Sequence, residues 1–305
     1  MIRRPPRSTL SSSSAASDVY KRQTYQCPAA ECDEGFPGSE GNIPGGRYKD
    51  LTMKRKLNGA ILSRLKVTEE QKNTLFSLWE TYYQNVDRAM FEEDLMEKDW
   101  ILTLSDEEGT IRGFTTMKIY ELKIRGKTIR AMFNGSTIID RGYWGDQELV
   151  HTWCRFMAEM KREDPDIPLY WYLIVSGFRT YMFLPLFFRE FYPNHATETP
   201  SFEQEIIDTL GAMKFPSEYR EGIVRVENPR ECLDPDLAVP SEHKLRNPHI
   251  RFFIENNKEY LRGDEMVCLT EFTIANTKRT AQQIAGEVLG SLDSRASMRR
   301  EVAAS

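Results

Sequence analysis

The residues whose types and spacing most clearly indicate chemistry lie in one short run, Arg141-Gly142-Tyr143-Trp144-Gly145-Asp146. The run follows a strand-like segment, Met132–Asp140, and precedes a segment with helical apolar spacing, Asp146–Arg162. A strand that enters a glycine-bearing loop and then a helix N-terminus can bind phosphate, because the helix presents unpaired N–H groups and the positive end of its dipole. We therefore expect this loop to contact a phosphorylated ligand, with Asp146 capping the helix and competing for the same place.

The elements after this loop must hold it in position. Pro168–Val175 reads as a second strand and Arg179–Phe191 as an aromatic-rich helix. This order is a βαβα unit, which requires a parallel strand pair joined by a crossover helix. Upstream, the pattern predicts two helices followed by three strands that can pair as an antiparallel meander: Val67–Asn85, Arg88–Lys98, Asp99–Ser105, Ile111–Leu122 and Ile129–Asp140.

The chain after Pro193 predicts further elements that complete the sheet. Their expected bounds are a helix over Ser201–Met213, strands over Gly222–Val226, His249–Ile254 and Glu265–Ala275, and a last helix over Thr277–Gly290. A long proline-bearing connection, Asn228–Pro248, separates the first of these strands from the second.

This element order resembles the GCN5-related N-acetyltransferase (GNAT) family, an acyl-CoA N-acyltransferase-like fold, over roughly residues 67–195. The resemblance implies an α/β fold with a mixed, mostly antiparallel sheet flanked by helices and a βαβα donor-binding core. It also implies acyl-CoA or acetyl-CoA as the donor substrate. In the family, the strand before the loop splays from its neighbour and bonds the pantetheine arm of the donor. The donor-binding residues that the resemblance implies are Thr137, Ile138, Ile139, Arg141, Gly142, Tyr143, Trp144, Gly145 and Asp146.

The resemblance also implies catalytic residues. The family often places a tyrosine on the following helix as the acid for the leaving thiolate, but the best-matching position here falls at Phe187 or Phe188, so Tyr181 is the expected substitute. An amine acceptor needs a base, and Asp140 is the nearest carboxylate. Further candidates are Tyr192 as acid, Asp264 and Glu265 as bases, and His151 as a residue lining the cleft.

Three functions remain open from the sequence. The first is an acyltransferase that moves an acyl group from CoA, or from an acyl-carrier-protein thioester, to a small-molecule amine, with the aromatic bulk of Phe178–Phe188 able to hold a long acyl chain. The second is a catalytically inactive GNAT-like binding module, favoured because the loop's matching glycine, Gly145, comes one place late. The third is a membrane-associated protein using Ile167–Phe188, although Arg179 and a Ser-Gly break interrupt that apolar stretch.

The ends of the chain carry a separate expectation. Residues 1–23 match translated sequencing-adapter DNA, with Met1–Thr9 and Ser13–Gln23 fitting two adapter pieces, although a transit peptide has a similar Arg- and Ser-rich composition. Residues 24–52 read as disordered or as read-through, with Met53 a plausible start and a truncated gene the other possibility. We expect the acyltransferase domain at residues 53–290, with a core at 67–195 and an extension at 196–290, and a flexible tail at 291–305.

The composition limits the partners. Residues 1–23 hold five Lys or Arg and one Asp, so removing them changes the 41 basic and 46 acidic residues to 36 and 45. This acidic balance argues against nucleic-acid binding. The five scattered cysteines predict reduced thiols in a cytoplasmic protein, with no metal site. The sequence does not give the oligomeric state.

Overall fold

The structure is a computed structural model that describes residues 56–82, 87–144, 146–225, 239–279 and 281–283. The segments discussed above at 1–23, 24–52 and 291–305 lie outside the described residues. Gly145 and most of the predicted last helix also lie outside them.

The strands of the described residues form one eight-stranded sheet in the order β1-β2-β3-β4-β5-β8-β7-β6. β4 and β5 run parallel, and each other neighbouring pair is antiparallel, which confirms the predicted mixed, mostly antiparallel sheet. The bounds are β1 Asn58–Ser63, β2 Trp100–Ser105, β3 Ile111–Ile124, β4 Lys127–Ile139, β5 Leu169–Val175, β6 Tyr219–Arg220, β7 Ile223–Val224 and β8 Glu265–Glu271.

Helices cover both faces of this sheet. The bounds are α1 Glu69–Tyr82, α2 Arg88–Glu97, α3 Glu148–Glu163, α4 Phe178–Tyr181, α5 Phe183–Phe187, α6 Ser201–Lys214 and α7 Pro248–Asn256. Successive side chains of a strand point to opposite faces, and in β5 Leu173 packs with α4 and α7, whereas Tyr172 packs with α6. One layer therefore holds α3, α4, α5 and α7, and the other holds α1, α2 and α6.

The helix α3 fixes the centre of the first layer. Its apolar side chains recur at helical spacing and are buried against β1 and β2, as the amphipathic pattern predicts. Its first turn receives the carboxylate of Asp146, whose Oδ1 accepts a hydrogen bond from the Glu148 N–H at 2.7 Å. Lys161 and Arg162 lie in its last turn, where positive charge is favourable.

The strand predicted at His249–Ile254 is wrong, because this segment lies in the helix α7. The Asn247 side chain accepts a hydrogen bond from the His249 N–H at 2.9 Å, and Pro248 occupies the first helical turn. Both features begin a helix. The buried residues Ile250 and Phe253 are three apart, which is a helical spacing. In so short a run, the apolar residues also fit the alternation of a strand.

The single helix predicted over Arg179–Phe191 is also wrong, since two short helices, α4 and α5, occupy this stretch. Pro185 has no N–H to donate to the carbonyl four residues back, so one helix cannot run through the segment without losing that bond. The segment Ile167–Phe188, considered above as a membrane span, contains β5 and these two helices. None of the helices in the described ranges is long and apolar enough to cross a membrane.

Candidate functional site

The two parallel strands diverge and leave a wedge in the sheet. β4 pairs with β5 only where Arg130–Phe133 meets Leu169–Tyr172, and beyond that point β4 stays on β3 while β5 stays on β8. The pairing of β3 with β4 shifts between Thr115 and Met117, where β4 holds one extra residue. Such a bulge bends the strand that carries it and increases its twist, so β4 turns away from β5.

An apolar cavity of about 100 Å³ occupies this wedge. Its walls come from the diverging ends of β4 and β5, the first half of α3, the helix α5, and the segment after β8. Aromatic side chains dominate the lining, which includes Trp153, Trp171, Phe183, Phe187, Phe188 and Phe272. A site of this kind favours an apolar group of a few carbon atoms.

Asn134 holds the two tryptophans of the cavity in place. Its Oδ1 accepts hydrogen bonds from Trp153 Nε1 at 2.9 Å and from Trp171 Nε1 at 3.1 Å, and the two ring centroids lie 4.6 Å apart. The polar edges of both indoles are thereby satisfied within the protein, so the rings present carbon atoms to the cavity. The Asn134 amide also lies 3.4 Å from Thr115 Oγ1, which ties this arrangement to β3.

The open edge of β4 offers backbone hydrogen bonds to a ligand in the wedge. The Asp140 N–H donates to the Arg112 carbonyl on β3 at 2.7 Å. Backbone groups of successive residues alternate in direction, so those of Ile139 and Thr137 point toward β5. The Ile139 carbonyl accepts from Trp144 Nε1 at 3.0 Å, which leaves the Thr137 backbone as the position for an extended ligand.

The loop predicted to bind phosphate uses several of its own N–H groups within the protein. Asp140 Oδ1 accepts from the Gly142 N–H at 2.8 Å, and the Arg141 N–H donates to the Tyr82 hydroxyl at 2.8 Å. Asp146 caps α3, and its Oδ2 also accepts from the Leu57 N–H at 3.2 Å. The loop nevertheless leads directly to the cavity, because Leu149 in the first turn of α3 is one of the cavity residues.

The remaining predicted donor residues take different places. Ile138 packs into the cluster under α1 and α2, whereas Ile139 and Tyr143 pack with α3. Arg141 is exposed, with its guanidinium 5.6 Å from the centroid of the half-buried Trp144 ring. Among the predicted site residues that the structure describes, Thr137 is the one that lines the cavity.

The predicted acid and base lie away from the cavity walls. Tyr181 is buried among α4 and α7, its hydroxyl donates to the Pro193 carbonyl at 2.6 Å, and its burial strongly raises the pKa of the phenol. Asp140 caps the turn that follows β4. Of the further candidates, Asp264 lies 3.6 Å from Arg225 across an ion pair, and His151 is partly exposed beside Glu148.

One cysteine lies in the cavity wall, and the described residues contain no metal-ligand cluster. Cys154 lines the cavity, but burial raises the pKa of its thiol to about 12, so it stays protonated at neutral pH. This placement is that of a small core residue rather than that of a nucleophile. No group of three or more His, Cys, Asp or Glu side chains among the described residues is arranged to hold a metal ion.

Sequence reasoning missed a polar cluster on the opposite face of the wedge. The Lys98 and Lys214 ammonium groups lie 6.0 Å and 4.5 Å from the centroid of the Phe133 ring. Lys98 comes at the end of α2 and Lys214 at the end of α6, so 116 positions separate them in the chain. A local signal for the nearby cavity was Asn134, an amide side chain directly after the apolar run Ala131–Phe133.

Lys214 is expected to make the stability of the protein depend on pH. Burial, and then the charge of Lys98, lower its pKa from 10.5 to about 8, against weaker opposing effects of Asp94, Glu97 and Glu265. The folded state therefore binds fewer protons than the unfolded state between pH 8 and pH 10.5, so stability rises with pH across that window. Lys214→Met should raise the free energy of unfolding at pH 7 by about 2 kcal/mol, after a discount for partial exposure.

The gain from Lys214→Met should shrink as the pH rises from 8 to 10.5, because the native lysine then loses its proton in the folded state. Urea unfolding of both proteins at pH 7, 8, 9 and 10 measures this difference, with Lys66→Met as an exposed-lysine control. A stability difference that stays constant over this range would contradict the lowered pKa.

No protein-family model matches this chain, and no curated protein matches it. Among solved structures, a probable N-acyltransferase of Enterococcus faecalis V583 is 11% identical with a TM-score of 0.33, covering 44% of this chain and 33% of that one. This chain thus spans about a third of that protein's length.

Two further solved structures are similar at the same level. A GNAT-family N-acetyltransferase of Escherichia coli in complex with CoA is 13% identical, with a TM-score of 0.29 and coverage of 45% of this chain and 67% of that one. The N-myristoyltransferase of Saccharomyces cerevisiae with bound myristoyl-CoA is 13% identical, with a TM-score of 0.27 and coverage of 83% and 56%. Since all three TM-scores are below 0.5, any assignment of chemistry has to rest on the geometry of the wedge itself.

Proposed function

We propose that this chain is an acyltransferase that binds an acyl thioester in the wedge between β4 and β5 and transfers the acyl group to a small-molecule amine. The observation that carries this proposal is the aromatic cavity at the point where the only parallel strand pair of the described sheet opens. An acyl chain fits the apolar walls, and an extended arm with amide groups fits the free edge at Thr137.

We assign the donor's charged end to the loop that follows β4. In acyl-CoA or acetyl-CoA, the arm that enters the wedge leads to a pyrophosphate, and the first turn of α3 contributes Leu149 to the cavity, so we propose that the loop at Arg141 contacts this pyrophosphate. An acyl-carrier-protein thioester presents the same arm and would use the same wedge. We favour a CoA thioester as the first donor to test, because it is a defined small molecule.

The transfer itself balances without a metal. The neutral amine attacks the thioester carbonyl, the new C–N bond forms, the C–S bond breaks, and the thiolate takes up a proton. The amine must lose a proton, and we propose that Asp140 accepts it through water. Because the Tyr181 hydroxyl already donates a hydrogen bond to the Pro193 carbonyl, we propose that water, rather than Tyr181, gives a proton to the thiolate.

The test is binding and turnover by the full chain. Trp153 and Trp171 line the cavity, so their fluorescence should change when CoA, acetyl-CoA or octanoyl-CoA enters. Donor binding should also raise the melting temperature by linkage. Release of free thiol on adding an amine would then establish transfer. No fluorescence change and no thermal shift with any of the three would overturn the proposed donor site.

A second candidate is a binding module that holds the donor without turnover. The observations that favour it are the Asp140 carboxylate on the Gly142 N–H of the loop, the Asp146 carboxylate on the Glu148 N–H at the start of α3, and the hydrogen-bonded hydroxyl of Tyr181. Binding of acetyl-CoA without thiol release across a range of amines would support this alternative. The expected cytoplasmic location stays a prediction under either function.

Asp146→Asn is expected to tighten CoA binding by about 3- to 10-fold. The amide oxygen can still accept the Glu148 N–H and cap α3, the weaker hydrogen bond from the Leu57 N–H is lost, and the negative charge that opposes a pyrophosphate is removed. Titration followed by tryptophan fluorescence at low salt measures the dissociation constant. Glu107→Gln, which removes an exposed charge in the β2–β3 turn, is the matched control. Unchanged or weaker binding in Asp146→Asn would remove the loop from the donor site.

A further inference from the structure

The polar cluster on the α6 side of the sheet lies directly across the wedge from the cavity. Gly135 lines the cavity, and on its other side the Lys98 Nζ is 3.6 Å from the position that a Cβ on Gly135 would take. Tyr172 also lines the cavity, and its ring lies 5.7 Å from Phe133. A molecule bound beside these side chains would therefore face the cavity through the opening between the strands.

The cluster holds two cations, of which Lys98 forms an ion pair, whereas the carboxylates of Asp94, Glu97 and Glu265 act on Lys214 without forming an ion pair among the described residues. Lys98 is buried and its Nζ lies 2.5 Å from Asp94 Oδ1, which compensates one cation. Lys214 contacts the Phe133 and Phe215 rings, and no ion-pair partner for it is found in the described part of the chain. A cation removed from water without a carboxylate is costly, so an anion that arrives with a ligand would be favoured here.

Two buried hydroxyl groups on neighbours of this cluster, one beside Lys98 at Gly135 and one on a ring next to Phe133, also have no hydrogen-bond partner among the described residues. They are Thr116 Oγ1 and the Tyr172 hydroxyl, in residues that are 1% and 0% exposed. Buried polar groups are almost always hydrogen-bonded in folded proteins, and each exception needs an explanation. Both hydroxyls can donate to an oxygen atom of a ligand.

We propose that Lys98, Lys214, Thr116 and Tyr172 form the acceptor site and bind a carboxylate, so that the acceptor is a small amine that carries a carboxylate group. This inference rests on the proposed acyl transfer in the wedge. A carboxylate brings one negative charge to the one lysine of the cluster without an ion pair, whereas a phosphate dianion would bring two beside the carboxylates of Asp94, Glu97 and Glu265. With the carboxylate held on the α6 side, the amine of a short amino acid points toward the thioester across the opening.

A purely structural role is the alternative for both lysines. Lys214 is the last residue of α6, where a cation interacts favourably with the helix dipole, and Lys98 forms a buried ion pair. In that case, removal of either charge would alter stability but would not discriminate between acceptors with and without a carboxylate.

The test compares matched acceptors with acetyl-CoA as donor and the full chain as enzyme. Glycine and β-alanine are each paired with their amides, which keep the amine and lack the carboxylate, and thiol release gives kcat and KM. We expect at least 10-fold higher kcat/KM for the carboxylates, and in Lys214→Met a rise of at least 10-fold in KM for the carboxylates alone. Lys214→Arg should retain the preference.

Lys244→Met is the matched control variant, because Lys244 also lies over an aromatic ring, 5.7 Å from the Phe178 centroid, but outside the cluster. It should leave the preference unchanged. Equal use of amines and amides by the native protein, or an equal effect of Lys214→Met on both, would overturn the inference. If acetyl-CoA binds and reacts without a carboxylate preference, the acceptor site fails while the proposed function stands.

A second readout does not require turnover. Acetylation of Lys214 by an N-hydroxysuccinimide ester at pH 8, followed by peptide mass spectrometry, should be slowed several-fold by sodium propionate and not by propionamide. Labelling of Lys244 in the same sample should be unaffected. Absence of protection at Lys214 would overturn the carboxylate site even if the protein proves to be a binding module, and failure of acetyl-CoA to bind at all would count against the proposed function separately.

Discussion

Gly135→Ala is expected to destabilise the protein by about 3 kcal/mol, because the wedge has no room for a side chain at this position. A Cβ on Gly135 would lie 2.8 Å from Lys98 Cε and closer still to Thr116 Oγ1. Lys98 can shift the end of its flexible stem, but Thr116 is buried and short, so β4 itself must move. Urea unfolding measures the loss, and fluorescence titration with CoA should show at least 10-fold weaker binding.

The double variant Gly135→Ala with Thr116→Ala is the control for this mechanism. Removing Thr116 Oγ1 removes the closest clash, and the single change Thr116→Ala should cost little because that hydroxyl has no partner among the described residues. The double variant should recover at least about 1 kcal/mol relative to Gly135→Ala. Equal stability of Gly135→Ala and the native protein would show that Lys98 and Thr116 do not pack against this glycine.

The wedge depends on the bulge in β4, and the bulge brings the two halves of the site together. The extra residue between Asn134 and Thr137 turns β4 from β5, while its alternating side chains still reach both layers. Asn134 points to the tryptophans of the cavity, and Gly135, which has no side chain, leaves room for Lys98 from the other layer. A regular strand would continue the parallel pairing past Phe133 and close the opening.

The central elements could be predicted because their patterns are long and periodic. The helix α3 shows buried residues at helical spacing over 16 residues, and β3 and β4 are long strands joined by a tight turn containing Gly126. β1 was missed because Asn58–Ser63 is short and follows a run of basic residues, so its pairing with β2 supplies the order that the local sequence lacks. Tertiary context overrides a weak local pattern in such segments.

The site could be predicted only where its parts are adjacent in sequence. The order of strand, loop and helix indicated the region of Thr137 and α3, and the aromatic bulk that includes Phe183 and Phe187 does line the cavity. The sequence does not reveal that Asp140 accepts from the loop's Gly142 N–H and Asp146 from the Glu148 N–H of α3, because that is a property of the folded geometry. Nor can periodicity bring Lys98 beside Lys214, since separate helices carry them.

The cavity itself gives the largest expected functional effect, through Cys154→Phe. The Cys154 side chain lines the wedge from α3, and a phenyl ring in its place would fill space that an acyl chain needs. If about four methylene groups of octanoyl-CoA are excluded at about 0.8 kcal/mol each, binding should weaken by at least about 100-fold. Binding of CoA, which has no acyl chain, should change less than about 5-fold, since its arm uses the β4 edge.

Fluorescence titration with octanoyl-CoA, acetyl-CoA and CoA separates these effects, with the melting temperature confirming that each variant is folded. Cys154→Ala is the matched control, because it also removes the thiol but leaves the cavity open and should bind octanoyl-CoA within a few-fold of the native protein. Equal weakening of all three ligands in Cys154→Phe would indicate a general disturbance of the wedge. Undiminished binding of octanoyl-CoA by a folded Cys154→Phe would mean that the acyl chain lies outside this cavity, and the aromatic walls would then be core packing alone.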